Sequence, residues 1–207
     1  MTVKICGMTN VHDTLNAVEA GADAVGFIFA PSSPRYVTQE TTRTIIRELP
    51  PHVTPVGVFV NMPQQTILEV IEMTGIRALQ LHGDEMPEAT QGFPVPVWKA
   101  FRVGKDFRVD ALEAFNVSAY LLDAFVEGRY GGTGKTFDWR IAVAAKKYGR
   151  IILSGGLTPA NIGDAIRTVQ PHGVDVNSGV ELSPGKKDKT RMRDLMLRIQ
   201  EAECSLS

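Results

Sequence analysis

Eight short apolar runs, each followed by a polar segment of helical character, constrain this chain more than any other feature: TVKIC, AVGFIF, TPVGVFV, RALQLH, VPVWKAF, AYLLDAF, RIILSGG and GVDVNSG. Several are nearly continuous in apolar residues rather than alternating, the pattern of strands covered on both faces in a parallel sheet. Strand and helix recur about every 25 residues, an interval that just fits one βα unit. Eight units without a long insertion favour closure over an open doubly wound sheet. The predicted class is α/β, a single (β/α)8 TIM barrel, with residues 1–207 forming one domain.

The segments between the runs carry helix punctuation. Thr158 can cap a helix whose first turn accommodates Pro159, with Ile162, Ala165, Ile166 and Val169 forming its apolar stripe. The segment from Pro63 repeats the pattern, with Ile67, Val70 and Ile71 inward and Gly75 placed to end the helix. The last helix packs through Met192, Leu195, Met196 and Ile199.

With 22 Lys plus Arg against 23 Asp plus Glu, the chain lacks the basic excess that phosphate-backbone binding requires, so no nucleic-acid partner is expected. No apolar run approaches bilayer length, and MTVKICGMTN lacks the basic flank and apolar stretch of a secretory signal. A cytoplasmic protein without membrane contact is expected, either monomer or homodimer. Cys6 and Cys204 lie at opposite ends of the chain, so neither a disulfide nor a zinc site is predicted, and no metal is.

In a barrel of this kind the C-terminal strand ends and the loops after them hold the chemistry. That rule selects Cys6, Arg35, Asn61, His82, Lys99, Arg102, Asp123, the pair Gly155-Gly156, and Asn177-Ser178-Gly179. Gly155 and Gly156 after the seventh run, with Ser178 and Gly179 after the eighth, offer backbone amides to a phosphate dianion, although such glycines also serve tight turns. A phosphate cup implies a small phosphorylated substrate. Arg35, in a loop stiffened by Pro31 and Pro34, suits bidentate pairing with a carboxylate, or else is a solvated surface charge.

Asp123 directly follows an apolar strand, where desolvation tends to keep a carboxyl protonated and able to donate a proton; a loop hydrogen bond is the plainer alternative. After it comes a long segment with Gly128, Gly131, Gly132 and Gly134 that reads as a lid. Gly134-Lys135-Thr136 resembles the end of a P-loop, but Arg129 stands where the earlier glycine would have to be. Lys4 shares the side of Cys6 by strand alternation, and its cation is expected to favour the thiolate, yet spacing alone leaves Cys6 open between a base and a small buried side chain. His82 can be a satisfied strand-end histidine or a substrate hydrogen-bond donor. Asp175 can bind a sugar hydroxyl or organise the barrel mouth. Lys186-Lys187-Asp188-Lys189 reads as a solvated turn without a site role.

The ordered motifs KICGMTN, GADAVGFIF, SPRYV, VGVFVN, LQLHGDE, LLDAF leading to GGTGKTFDW, LSGGL and VDVNSGVE resemble the phosphoribosylanthranilate isomerase family of tryptophan biosynthesis. The resemblance runs in order from residue 3 to about residue 181 and implies a barrel that works without a cofactor. It implies an Amadori rearrangement of N-(5-phospho-β-D-ribosyl)anthranilate to 1-(2-carboxyphenylamino)-1-deoxy-D-ribulose 5-phosphate. In its terms Cys6 is the general base, Asp123 the general acid, Arg35 the ligand of the anthranilate carboxylate, and Gly155, Gly156, Ser178 and Gly179 the phosphate site. His82 and Asp175 are further candidate substrate contacts, and Cys204 has no counterpart. A histidine-pathway isomerase would be expected to carry an aspartate in place of Cys6 and a second phosphate loop, where this chain has the bulky Phe59-Val60-Asn61-Met62. A catalytically silent phosphosugar-binding module need not keep both Cys6 and Asp123.

Overall fold

The computed structural model describes residues 1–124 and 136–206. All eight predicted runs are strands: β1 (Thr2–Ile5), β2 (Ala24–Ile28), β3 (Thr54–Phe59), β4 (Ala78–Leu81), β5 (Val97–Val103), β6 (Ala119–Ala124), β7 (Ile151–Leu153) and β8 (Gly173–Val176). They pair in parallel with their sequence neighbours and close into a barrel where β1 meets β8, with Lys4 beside Asp175 and Ile5 beside Val176. The fold expectation therefore stands.

The helices are α1 (Val11–Ala20), α2 (Gln39–Arg47), α3 (Gln64–Thr74), α4 (Arg140–Ala145), α5 (Ile162–Val169) and α6 (Lys189–Cys204). Local sequence accounts for their ends. The Asn10 side chain accepts from the Asp13 amide at the start of α1, Thr38 does the same for α2 and Asp188 for α6. Gly75 ends α3 in the left-handed region, as its sequence position predicts.

Two departures have local causes. Among the described residues, β4–β5 and β5–β6 are joined by short 3₁₀ turns, Pro87–Thr90 and Val109–Ala114, in place of α-helices. Pro87, Pro94 and Pro96 withdraw amide donors from the first of these connections. Thr158 does not cap α5: its amide donates to Asn161 Oδ1, and Asn161 Nδ2 donates to the Gly156 carbonyl. That turn delays the helix to Ile162. The predicted lid falls within 125–135, outside the described residues.

The core has two compartments. Outward strand residues such as Val3, Ile5, Val25, Phe27, Leu79 and Leu122 pack against Ala17, Ile45, Ile67, Ile162, Leu195 and Ile199 of the helices. Inside the barrel, Ala24, Val56 and Ala78 form one cluster, and Ala100, Ala119, Leu121 and Ile152 another, both against Trp98. The period-two alternation of each strand continues this inner column toward the mouth through Lys4, Gln80 and Asp175, then Cys6, His82 and Asp123. Beyond β8 comes a short 3₁₀ turn, Ser178–Val180, then an antiparallel hairpin of β9 (Glu181–Ser183) and β10 (Lys186–Lys187). Of the stretch read from sequence as a solvated turn, Lys186–Lys187 is a strand, Asp188 caps α6 and Lys189 opens it, and Lys187 is buried. No helix among the described residues is long and apolar enough to cross a membrane.

Leu195 is fully buried on α6, in the layer shared with α5. Leu195→Ala is expected to lower unfolding free energy by about 2–5 kcal/mol, read as a lower denaturant midpoint at unchanged slope.

Candidate active site

Cys6 directly follows β1, and its amide donates to the Val176 carbonyl at 2.8 Å. Two residues earlier Lys4 turns into the barrel, where its Nζ meets Asp175 Oδ1 at 2.7 Å, both side chains buried. Across from them β2 carries Gly26, where a Cβ would stand 2.7 Å from Cys6 Sγ and 3.0 Å from Lys4 Nζ. Only a residue without a side chain leaves room for this thiol and ammonium together.

The sequence places Lys4 beside Cys6 correctly, but the net effect on the thiol is the reverse of the expected one. Burial pushes the Cys6 thiol up, and Asp175 adds to it; the charge and hydrogen bond of Lys4, and the charge of Lys187, pull down without prevailing. Lys4 itself is raised: burial disfavours its charge, and Asp175 and Cys6 outweigh that cost.

Asp123 stands on β6, its Oδ1 accepting from the Ala124 amide at 2.9 Å and its Oδ2 lying 3.3 Å from His82 Nε2. That histidine nitrogen is close to the carboxylate yet off the line of a hydrogen bond. Gln80 reaches His82 Nδ1 at 2.7 Å. An amide N–H donated to Nδ1 requires the tautomer with the ring proton on Nε2, the nitrogen that lies beside Asp123.

Gly155 backs onto the same carboxylate, since a Cβ there would lie 2.9 Å from Asp123 Oδ1 and 2.4 Å from the Ala124 amide nitrogen. Gly155 and Gly156 have positive φ. Gly179 presses against the Leu157 carbonyl so closely that a Cβ would sit 1.9 Å away. The two loops predicted to hold phosphate therefore interlock. No described residue accepts from the amides of Gly155, Gly156 or Ser178.

Arg35 is buried rather than solvated, and it already holds a carboxylate. Its Nε lies 2.9 Å from Glu181 Oε1 and its Nη2 2.7 Å from Oε2. Lys187 Nζ meets the same Glu181 at 2.8 Å and donates to Asn177 Oδ1 at 3.0 Å. The Glu181 carboxyl is held below the usual range: burial pushes it up, but the Arg35 hydrogen bond and Lys187 outweigh that. Burial pushes Lys187 down, against the opposing charges of Glu181 and Cys6. Gly7 lets the Cys6 loop lie on this group, since a Cβ would meet Arg35 Cδ at 2.8 Å and Asn177 Oδ1 at 2.7 Å.

Lys187 corrects the reading of its segment as solvated, and Glu181, Gln80 and Gly26 are site residues that motif reading passed over. Their signals were faint: Gln80 precedes His82 by one strand period, and Glu181 closes the VDVNSGVE motif. Other strand-end residues are committed elsewhere. Lys99 donates to the Gly83 and Ala100 carbonyls and to Glu85, Arg102 pairs with Asp84, and Asn61 Oδ1 accepts from the Asp84 amide. A cleft of about 690 Å³ between α5 and α6 reaches the phosphate loops at Thr158 and Gly179, but its walls carry none of Cys6, Asp123 or Arg35.

The signs of the two nearest charges give a direct test. Lys4→Met is expected to move the Cys6 titration to higher pH and Asp175→Asn to lower pH, followed by thiolate ultraviolet absorbance in a Cys204→Ser background. The reverse order would overturn this account of the thiol's surroundings.

Comparison with known proteins bears on the family of the whole chain. The profile of the family "N-(5'phosphoribosyl)anthranilate (PRA) isomerase" matches residues 3–198. N-(5'-phosphoribosyl)anthranilate isomerase of Pelobacter propionicus is 49% identical over 194 residues, 94% of this chain and 93% of that protein. Phosphoribosyl anthranilate isomerase of Thermotoga maritima superposes with a TM-score of 0.89 at 42% identity, covering 97% of this chain and 99% of that one. A phosphoribosyl anthranilate isomerase solved with reduced 1-(o-carboxyphenylamino)-1-deoxyribulose 5-phosphate superposes with a TM-score of 0.86 at 40% identity, over the same shares.

Proposed function

The chain belongs to the N-(5'-phosphoribosyl)anthranilate isomerase family and is an isomerase of tryptophan biosynthesis, and we propose that it works through Cys6 as general base and Asp123 as general acid. The substrate is a small phosphorylated molecule with an anion at each end. In this reading the whole chain acts as one barrel domain in the cytoplasm, as monomer or homodimer; a dimeric relative is the Thermotoga maritima enzyme.

The observation that carries the reading is the order of groups around the barrel rim. Asp123 stands on β6, the phosphate loops follow β7 and β8, Cys6 follows β1, and Arg35 follows β2. A phosphate anchored after β7 and β8 lies between the acid and the base. A carboxylate at Arg35 extends the ligand past the thiol, and clamping both ends aligns the reacting carbons.

Asp123 donates its proton to the ribose ring oxygen while the anilino nitrogen forms the C1=N bond and the C1–O bond breaks. The product is an open-chain Schiff base carrying a positive charge on nitrogen. That charge acidifies C2–H, and the Cys6 thiolate takes the proton. The C2–H electrons form C1=C2 and neutralise the nitrogen, giving an enolamine that tautomerises to the aminoketose. His82, with its proton on Nε2, is placed to support Asp123. Asp175 keeps Lys4 charged beside the base.

Cys6→Ser and Asp123→Asn are each expected to lower turnover by about 100-fold or more. Affinity for the reduced product analogue should stay within about tenfold, since neither change removes an anchor. Loss of anthranilate-type fluorescence with freshly made substrate reads the first, and equilibrium titration the second. Near-normal turnover in either variant would overturn the acid and base assignment.

A further inference from the structure

We propose that Glu181 and Lys187 are positioning residues for the substrate carboxylate, Glu181 fixing which edge of Arg35 is offered and Lys187 restoring the positive charge that Glu181 would otherwise cancel. This deepens the function proposed above and rests on Arg35 being the carboxylate ligand.

A guanidinium can take carboxylates on two edges, one through Nε and Nη2 and one through Nη1 and Nη2. Glu181 occupies the first edge, with contacts of 2.9, 3.1 and 2.7 Å. The second edge stays outside that pairing and is the one left for a ligand. Gly7 lies against Arg35 Cδ, the carbon bonded to Nε, so the Cys6 loop packs beside the edge that Glu181 holds. Both members of the Arg35–Glu181 pair are buried, which makes the arrangement stiff rather than a passing surface contact.

Charge explains the third member. Arg35 with Glu181 alone sums to zero and has little net pull on an anion. Lys187 adds one positive charge, its side chain fully buried and held by Glu181 Oε1 and by the carbonyl and side-chain oxygens of Asn177. The cluster then carries a single net positive charge, matched to one carboxylate. The β9–β10 hairpin is what delivers it, since Glu181 opens β9 and Lys187 ends β10.

The test compares two reduced product analogues, one with the ring carboxylate and one without, by equilibrium titration and as inhibitors. Lys187→Met removes the net charge. Glu181→Gln/Lys187→Met keeps it while removing the carboxylate that holds Arg35, so orientation is read apart from charge. Each is expected to weaken the carboxylated analogue by about tenfold or more while moving the other by less than about twofold. In turnover assays the loss should fall on KM rather than kcat. If the double variant does not fold, Glu181→Asp, which keeps every charge and withdraws the carboxylate by one methylene, is expected to give a smaller loss of the same selectivity. Equal loss on both analogues would assign the pair to stability alone, and tighter binding of the carboxylated analogue would make Glu181 a competitor; either result overturns the proposal. Arg35→Lys is the control beneath it. If Arg35→Lys weakens both analogues alike, the reading of Arg35 falls and this one with it. If it weakens the carboxylated analogue selectively and the pair variants do not, only this one falls.

Discussion

The ion pair of Lys4 with Asp175 sits where the first strand of the barrel meets the last, and closure and chemistry both depend on it. The two residues are register partners across the β1–β8 seam, and neither reaches solvent to any useful extent. Burying two charges is expensive and is offset only when they satisfy each other; deleting one partner typically costs about 3–5 kcal/mol because the other is left uncompensated. The same two strands carry Cys6 and Asn177 one period further on, so the pair that closes the barrel also positions the thiol and the start of the β8 loop. Ser154 joins β7 to the seam through its hydroxyl, which donates to the Asp175 carbonyl at 3.2 Å.

Much of this was legible in the sequence because it rests on short-range rules. Near-continuous apolar runs gave the parallel strands, and a period of two placed Lys4 with Cys6 on one side. The strand-end rule picked out Cys6, His82 and Asp123, which the barrel brings to its upper interior. Gly75 as a helix stop is equally local.

What escaped depends on contacts between distant segments. Arg35 and Glu181 lie 146 positions apart, and no pattern in either segment announces the other. Lys187 sits in a run of charges that reads the same whether solvated or buried; only the hairpin, turning at Gly185, decides that its side chain goes inward. The sign of the Cys6 shift was missed for a related reason. A neighbouring lysine is visible in the sequence, whereas complete burial and an opposing Asp175 exist only once the barrel has closed.

These charges form a connected series: Asp175, Lys4, Cys6, Lys187, Glu181, Arg35. The thiol lies between two cations, Lys4 paired with Asp175 at 2.7 Å and Lys187 at 2.8 Å from Glu181, a carboxylate that Lys187 shares with Arg35. A cation already paired exerts less net field on a third group than a free one, which is why burial prevails and the resting thiol is raised rather than lowered. On the proposed mechanism, the missing positive charge arrives with the chemistry. Protonation by Asp123 opens the ribose ring and creates a cationic Schiff base next to the carbon whose proton Cys6 must take. That cation favours the thiolate at the step that uses it, so the acid on β6 prepares the base after β1 through the charge on the intermediate. The Lys4–Asp175 pair at the β1–β8 seam is neutral, and the one net positive charge of the Arg35–Glu181–Lys187 cluster is matched to the substrate carboxylate, so the intermediate supplies the cation that the thiolate needs.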